Sequence, residues 1–219
     1  MTGRRTVARW MFPEGHRYAW AAPSLLVLTV ISGLIDAASF LGLGRVFVAN
    51  MTGNLVFLGF ALSGTAQMTA LTSLMSLAAF LAGAVTGGVW RRDAEPGRLL
   101  TPLVAIQTLL VALALAAQVS GWGRYAVLAS LACGTGLQNA VVRRLGVPDL
   151  TTTVMTRTLT GLAADRSAPA TRRRALSVTA LAAGAVTGGL LHAHVGVGGV
   201  LAAVLLLQLA VVLAARRPR

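Results

Sequence analysis

Residues 83–88 read Gly-Ala-Val-Thr-Gly-Gly, and the same six letters recur at residues 184–189. Two weaker matches precede it in each half of the chain, in the same order and at nearly the same spacing: 33–37 with 136–140, and 51–55 with 155–159. Each match is weak alone in a chain rich in Ala, Gly and Leu, and chance similarity within a biased composition is the alternative. Three matches in one order favour an internal repeat.

The composition predicts that both copies lie in lipid. Of 219 residues, 56% are apolar and only 11% are charged, and the mean hydropathy is +0.74. A soluble domain carries about 25% charged residues. The apolar residues also fall in long runs, which are typical of membrane spans. We therefore predict an all-α, polytopic membrane protein, and the composition argues against a soluble enzyme.

The net charge of +13 would suggest nucleic acid in a soluble protein. Here the arginines cluster at the edges of apolar runs, where the positive-inside rule places them. No aromatic RNA-binding motif accompanies them. We interpret the basicity as a signal of membrane topology and expect membrane lipid, not nucleic acid, as the partner.

Six apolar segments are long enough to cross about 30 Å of hydrocarbon at about 1.5 Å per residue. They are residues 19–43, 68–90, 99–119, 125–142, 175–193 and 197–215. Two shorter segments, 45–62 and 149–164, are interrupted by Thr, Asn, Gly or Arg. Such segments either cross poorly or enter the membrane and return, and they survive only where protein or a water-filled cavity surrounds them.

The distribution of arginine favours re-entry. With a cytoplasmic N-terminus and two re-entrant segments, sixteen arginines lie inside and two outside; if both segments cross, the split is twelve against six. The positive-inside rule therefore predicts six transmembrane helices plus two re-entrant half-helices, with both termini in the cytoplasm. The predicted units are listed in order: a basic segment 1–18, a first membrane repeat 19–119, a second repeat 120–215 and a basic tail 216–219.

Each repeat then crosses the membrane three times, so the second copy is inverted relative to the first. Inverted repeats with broken helices are typical of secondary transporters, whose sites lie near the bilayer midplane. This step rests on an analogy of architecture.

The run 33–37 (GLIDA), followed by 47–54 (FVANMTGN), resembles the signature of the YoaK family. These are bacterial multi-pass membrane proteins grouped as a domain of unknown function. The resemblance covers nearly the whole chain, from about Tyr18 to Ala215. It implies an integral protein of the bacterial cytoplasmic membrane with no assigned activity, and it carries over no catalytic residue.

Asp36 lies inside the first predicted span. An ionisable group there costs about 2.5–3.5 kcal/mol on insertion scales and is a functional candidate by default. We predict a proton-coupling role. The alternative is a structural acid, bonded to Ser39 or to a freed backbone N–H of the broken element. The matching position in the second copy is the neutral Asn139.

The two broken elements are predicted to begin half-helices near residues 50–54 and near Met155. Half-helix N-termini present unpaired N–H groups and positive dipole ends, which suit an anion, a carboxylate or a polar solute. The predicted substrate-binding residues are Asn50, Thr52, Gly53, Asn54, Thr156, Arg157 and Thr158, with Gln138 and Asn139 behind them. The alternative is that these polar groups only satisfy one another in a closed core.

The repeated glycines Gly83, Gly87, Gly184 and Gly188 form GxxxG pairs, for which helix packing is the favoured role. We expect no cofactor, no metal site and no enzyme activity. The function that we predict is secondary transport of a small polar or anionic solute, with its site between the two half-helix N-termini at the bilayer midplane. A channel of the same architecture and a non-transporting assembly or lipid-binding protein are the alternatives, and homo-oligomerisation is left open.

Overall fold

The computed structural model describes residues 11–12, 16–64, 70–90, 94–95, 98–153, 155–165 and 167–216. Its helices are α1 (Ala22–Gly42), α2 (Met51–Leu62), α3 (Ala70–Val89), α4 (Leu100–Val119), α5 (Arg124–Leu145), α6 (Thr156–Ala164) and α7 (Ala168–Arg216). Among these described residues no strand occurs, and α1, α3, α4, α5 and α7 are long and apolar enough to cross a membrane. The prediction of a polytopic all-α membrane protein is confirmed.

The outer faces of the long helices are apolar, because their solvent is hydrocarbon. Leu81 and Val85 of α3 are 60% and 63% exposed, and Val186 and Leu190 of α7 are 62% and 60% exposed. In water such faces would mark an interface or an aggregation site. Around a membrane protein they are the lipid-facing surface.

Gly196 interrupts the last helix. Its backbone has φ 66° and ψ −170°, a conformation that glycine adopts without a side-chain clash. The helix is thereby divided into segments 168–195 and 197–216. The sequence predicted a break at this place, but it put the start of the preceding span at residue 175, which is wrong. The helix begins at Ala168 because the three arginines 172–174, which the hydropathy pattern excluded, lie within its first turns.

The two short elements are helices that begin inside the fold. Residues 43–50, 146–153 and 155 are irregular, and α2 and α6, of 12 and 9 residues, are too short to cross about 30 Å of hydrocarbon. The helices begin at Met51 and Thr156, within a residue of the predicted starts. The residues that precede them, Asn50 and Met155, make no side-chain capping bond.

The repeated glycines allow close approach of helices from opposite halves of the chain. A Cβ atom on Gly83 would overlap the backbone carbonyl of Cys133 in α5, and one on Gly184 would overlap that of Val30 in α1. Helix α3 therefore packs against α5, and segment 168–195 of α7 packs against α1.

The second glycine of each pair repeats this arrangement. A Cβ on Gly87 would lie 2.9 Å from the carbonyl oxygen of Leu137, and one on Gly188 would lie 2.9 Å from that of Leu34. Leu34 and Leu137 occupy matching positions in the repeated segments 33–37 and 136–140. The two halves therefore use equivalent glycines against equivalent partners.

Candidate functional site

The first broken element is held by Asp36. Its Oδ1 atom accepts hydrogen bonds from the backbone N–H groups of Val48 (3.0 Å) and Ala49 (2.8 Å). Asp36 lies in the last two turns of α1, and Ser39 donates to its backbone carbonyl rather than to its carboxylate. This is the bonding of the structural alternative, in which the acid binds freed backbone N–H groups. The proton-coupling role stays a prediction.

Asn54 closes the same element from the other side. Its Oδ1 accepts from the N–H of Phe47 at 2.8 Å, and its Nδ2 donates to the Phe47 carbonyl and to Ser76 Oγ. Ser76 Oγ in turn donates to the Phe47 carbonyl at 2.8 Å. Asn54 and Ser76 are both fully buried. The polar groups of Asn54 are thus used within the protein.

The remaining predicted residues of the first half lie beside this closed element. A Cβ on Gly53 would lie 2.8 Å from the ring of Phe47, which stacks on Phe57 with ring centroids 5.9 Å apart. Asn50 and Thr52 are exposed. None of the four predicted residues of the first half lines the cavity described next.

The second broken element borders a cavity of about 1360 Å³. It lies between the last turns of α3 and α5, the irregular segment 146–153, α6 and the start of α7. Four predicted site residues line it: Asn139, Thr156, Arg157 and Thr158. The structure therefore brings together four of the five predicted residues of the second half.

The cavity wall carries more positive than negative charge. Four arginines (Arg143, Arg144, Arg157 and Arg174) and two acids (Asp149 and Asp165) line it. Arg174 pairs with Asp149 at 2.7 Å and with Asp165 at 2.6 Å.

The other arginines of the wall differ in their contacts. Arg144 donates to the carbonyl of Trp90 at 2.8 Å, near the C-terminal end of α3. Within the described ranges, Arg143 and Arg157 have no acidic partner, and both are exposed. Uncompensated cations in a cleft between low-dielectric walls attract anions.

Gln138 lies away from this cavity, in a buried polar chain. Gln107 of α4 donates to its Oε1 at 2.7 Å, and its own Nε2 donates to Ser32 of α1 at 3.2 Å. The chain joins α1, α4 and α5. Its observed contacts connect helices.

The two half-helices do not contact each other among the described residues, and no residue of α2 lines the cavity. The prediction that their N-termini converge on one site is therefore wrong. Instead, each irregular segment is held by a helix of the other half. Thr135 of α5 donates to the carbonyl of Val48, and Thr29 of α1 donates to that of Thr151 at 3.4 Å.

The sequence did not identify the charged residues that line the cavity besides Arg157. Arg143, Arg144, Asp149 and Arg174 were assigned to cytoplasmic loops or edges. Gly146 is the sequence signal that could have indicated that α5 ends beside these residues. It ends the helix in the left-handed conformation with φ 61°, as C-terminal glycines commonly do. In the part of the chain that the structure describes, no three His, Cys, Asp or Glu side chains group closely enough to hold a metal ion.

Comparison with known proteins identifies the family. The model of a family described as a protein of unknown function (DUF1275) matches residues 24–214. The UPF0700 transmembrane protein YoaK of Bacillus subtilis (strain 168) is 33% identical over 149 residues, which are 66% of this chain and 65% of that protein. No solved structure matches the chain. The chain belongs to the DUF1275 family, and the predicted resemblance to YoaK proteins is confirmed.

Proposed function

We propose that this member of the DUF1275 family is a secondary transporter of a small anionic solute in the bacterial cytoplasmic membrane. It consists of six transmembrane helices and two re-entrant half-helices, arranged as two inverted repeats. Both termini are cytoplasmic. The protein is not an enzyme, and its partners are lipid and the transported solute.

The six-span arrangement is supported by Gly196 and by the glycine contacts. The break at Gly196 makes two membrane-length segments of α7, and the short α2 and α6 enter and return. With this topology each half crosses three times, and the equivalent contacts of Gly83 with Cys133 and of Gly184 with Val30 relate the halves by a pseudo-twofold axis. Transporters with inverted repeats and broken helices share this design.

The observation that carries the proposal is the excess of cations around the second broken element. A charged side chain in a membrane protein is costly unless it has a partner or a function. Arg157 follows the first residue of α6 directly, lines the cavity and lacks an acidic partner among the described residues. The positive end of the α6 dipole adds to its field. An anion supplies the missing partner.

Transport is tested by reconstituting the purified protein in proteoliposomes and measuring currents after rapid jumps of anion concentration. We expect saturable currents, and Arg157→Gln should raise the half-saturating concentration by about tenfold, since one charge-assisted hydrogen bond is lost. The matched control is Arg98→Gln, which removes an exposed arginine that pairs with Glu95. Equal effects of both variants, or no current with any anion, would refute the proposal. Currents that never saturate would indicate a channel.

The topology is tested with single cysteines in a Cys133→Ser background. Ser63→Cys, at the end of α2, should react with an impermeant maleimide from outside only. Pro148→Cys, which is exposed between α5 and α6, should react from inside only. If α2 and α6 crossed the membrane, both results would be reversed.

A further inference from the structure

The two halves hold different groups at one equivalent position. The alignment of segments 33–37 and 136–140 places Asn139 where the first half has Asp36. The alignment of 51–55 with 155–159 places Thr152 and Thr153 where the first half has Val48 and Ala49. The first half therefore contains a carboxylate facing two backbone N–H groups, and the second half lacks that carboxylate.

Asn139 does not replace the missing bonds. Its Oδ1 accepts from the hydroxyl of Thr153, and its Nδ2 donates to the Thr135 carbonyl at 3.0 Å. Among the residues that the structure describes, the backbone N–H groups of Thr152 and Thr153 donate to no acceptor. Unpaired buried N–H groups cost free energy and are rare in native structures.

Thr152 carries a second unsatisfied group at the same place. Its side chain is buried, with 1% of the residue exposed, and its Oγ1 has no hydrogen-bond partner in the described part of the chain. Thr152 also lines the charged cavity, together with Asn139 and Arg157. Two of these three donors therefore belong to Thr152, which lines a cavity with excess positive charge, and the third belongs to its neighbour Thr153.

We propose that the carboxylate group of the transported solute binds to Thr152 and Thr153, whose backbone N–H groups match those that the Asp36 carboxylate bonds in the first half. The assignment rests on the proposed function and names its substrate class. The two N–H groups and the Thr152 hydroxyl donate to the carboxylate oxygens, and Arg157 supplies the countercharge. In the first half, the side chain of Asp36 thus makes the contacts that the carboxylate of the solute makes in the second half.

Three features favour a carboxylate over other anions. The equivalent position in the same fold already holds a carboxylate, one oxygen of which accepts from the N–H groups of two consecutive residues. Arg157 has no acidic partner among the residues that the structure describes, and planar guanidinium groups bind carboxylates through two parallel bonds. Asn139 keeps the second position neutral, so no resident negative charge repels the solute.

Binding is tested by thermal unfolding of the purified protein in detergent at constant ionic strength. Sodium acetate, lactate and succinate are the probes, with sodium chloride as the reference, acetamide as the uncharged analogue of acetate, and sodium sulfate as a non-carboxylate anion. We expect at least one carboxylate to raise the melting temperature in a saturable manner, and acetamide to have no effect. No stabilisation by any carboxylate, or equal stabilisation by sulfate, would overturn the assignment.

The variant Asn139→Asp places a resident carboxylate in the second half. It should weaken carboxylate binding by at least about tenfold, because the new carboxylate competes for the N–H groups of Thr152 and Thr153 and repels the anion. The matched control is Thr160→Asp, which adds the same charge to the cavity wall away from Thr152. If both variants weaken binding equally, repulsion alone explains the loss and the position is wrong.

A neutral variant keeps the test valid if Asn139→Asp fails to fold. Thr152→Val has the same shape and removes only the unpartnered hydroxyl, so folding is retained while carboxylate affinity falls about threefold or more. Unchanged affinity in this variant would contradict the assignment.

The two proposals fail in different ways. Carboxylate stabilisation that Asn139→Asp abolishes, without any current in proteoliposomes, would refute transport and keep the binding site. Saturable currents carried by sulfate or chloride, unaffected by Asn139→Asp, would keep transport and refute the carboxylate site.

Discussion

The two halves of the chain share their helix packing and differ in chemistry where the chain is broken. In both, a pair of glycines lets one helix touch the backbone of a helix from the other half. Around the first broken element lie Asn54, Ser76 and stacked phenylalanine rings. Around the second lie arginines, aspartates and a large cavity. The glycine contacts between helices are thus the same in both halves. The cavity, in contrast, lies beside only the second broken element.

One pair of positions illustrates the divergence. In the alignment of the GAVTGG segments, the first half has Thr72 and Ser73 where the second has Arg173 and Arg174. Thr72 and Ser73 are buried. Arg173 and Arg174 instead share Asp149, at 2.8 and 2.7 Å. The second copy has therefore acquired an ion-pair network beside its broken element.

The largest effect is expected where the halves are alike. Gly83→Ala and Gly184→Ala should each lower the free energy of unfolding by about 3 kcal/mol, since the new methyl group overlaps a backbone carbonyl and the helices must separate. Gly88→Ala is the control, because nothing lies within 4 Å of a Cβ at that position. Thermal unfolding in detergent measures all three. If one glycine variant lost much stability and the other lost none, the helix packing of the two halves would not be equivalent.

A smaller and one-sided effect is expected at the broken elements. Asn54→Leu should cost about 2 kcal/mol, because the buried N–H of Phe47 loses its acceptor. Thr158→Val, at the matching position of the second half, should change stability by less than about 0.5 kcal/mol, since its hydroxyl has no recorded partner in the described residues. Equal losses in the same unfolding assay would contradict the view that only the first element is closed by its own side chains.

A loss smaller than that of Asn54→Leu is expected from Asp36→Asn, which makes the first half resemble the second. The amide oxygen still accepts from Val48 and Ala49, so only the strengthening by charge is lost, about 1 kcal/mol. The unfolding assay measures this loss, and proteoliposomes under an imposed pH gradient measure coupling. Unchanged stability together with abolished proton-driven uptake would assign Asp36 to proton coupling instead.

The sequence predicted those parts of the fold that depend on local pattern. Hydropathy located the long helices, and the Asn, Thr and Gly of 50–54 and 155–158 located the starts of α2 and α6 within a residue. The start of α7 was placed too late, because a hydropathy pattern excludes the arginines 172–174 although they are helical.

The sequence predicted residues of the candidate site only for the second half of the chain. Contacts between distant residues decide where the other predicted residues lie. That Asn54 would be used by Phe47 and Ser76, and that Arg174 would reach Asp149, depends on how α3 and α7 pack against the short helices. Composition contains no information on that packing. The repeat in the sequence showed that Asp36 and Asn139 occupy equivalent positions. It did not show which backbone groups these two side chains face.

The hydrogen bonds between the two halves form only after the second half of the chain has been synthesised. The carbonyl of Val48 is bonded by Thr135, and α1 packs against the last long helix. When the ribosome has delivered the first four helices, these partners have not yet been synthesised. The amino-terminal part must therefore wait in the bilayer in an incomplete form, and truncations after α4 should be recognised by membrane quality-control proteases.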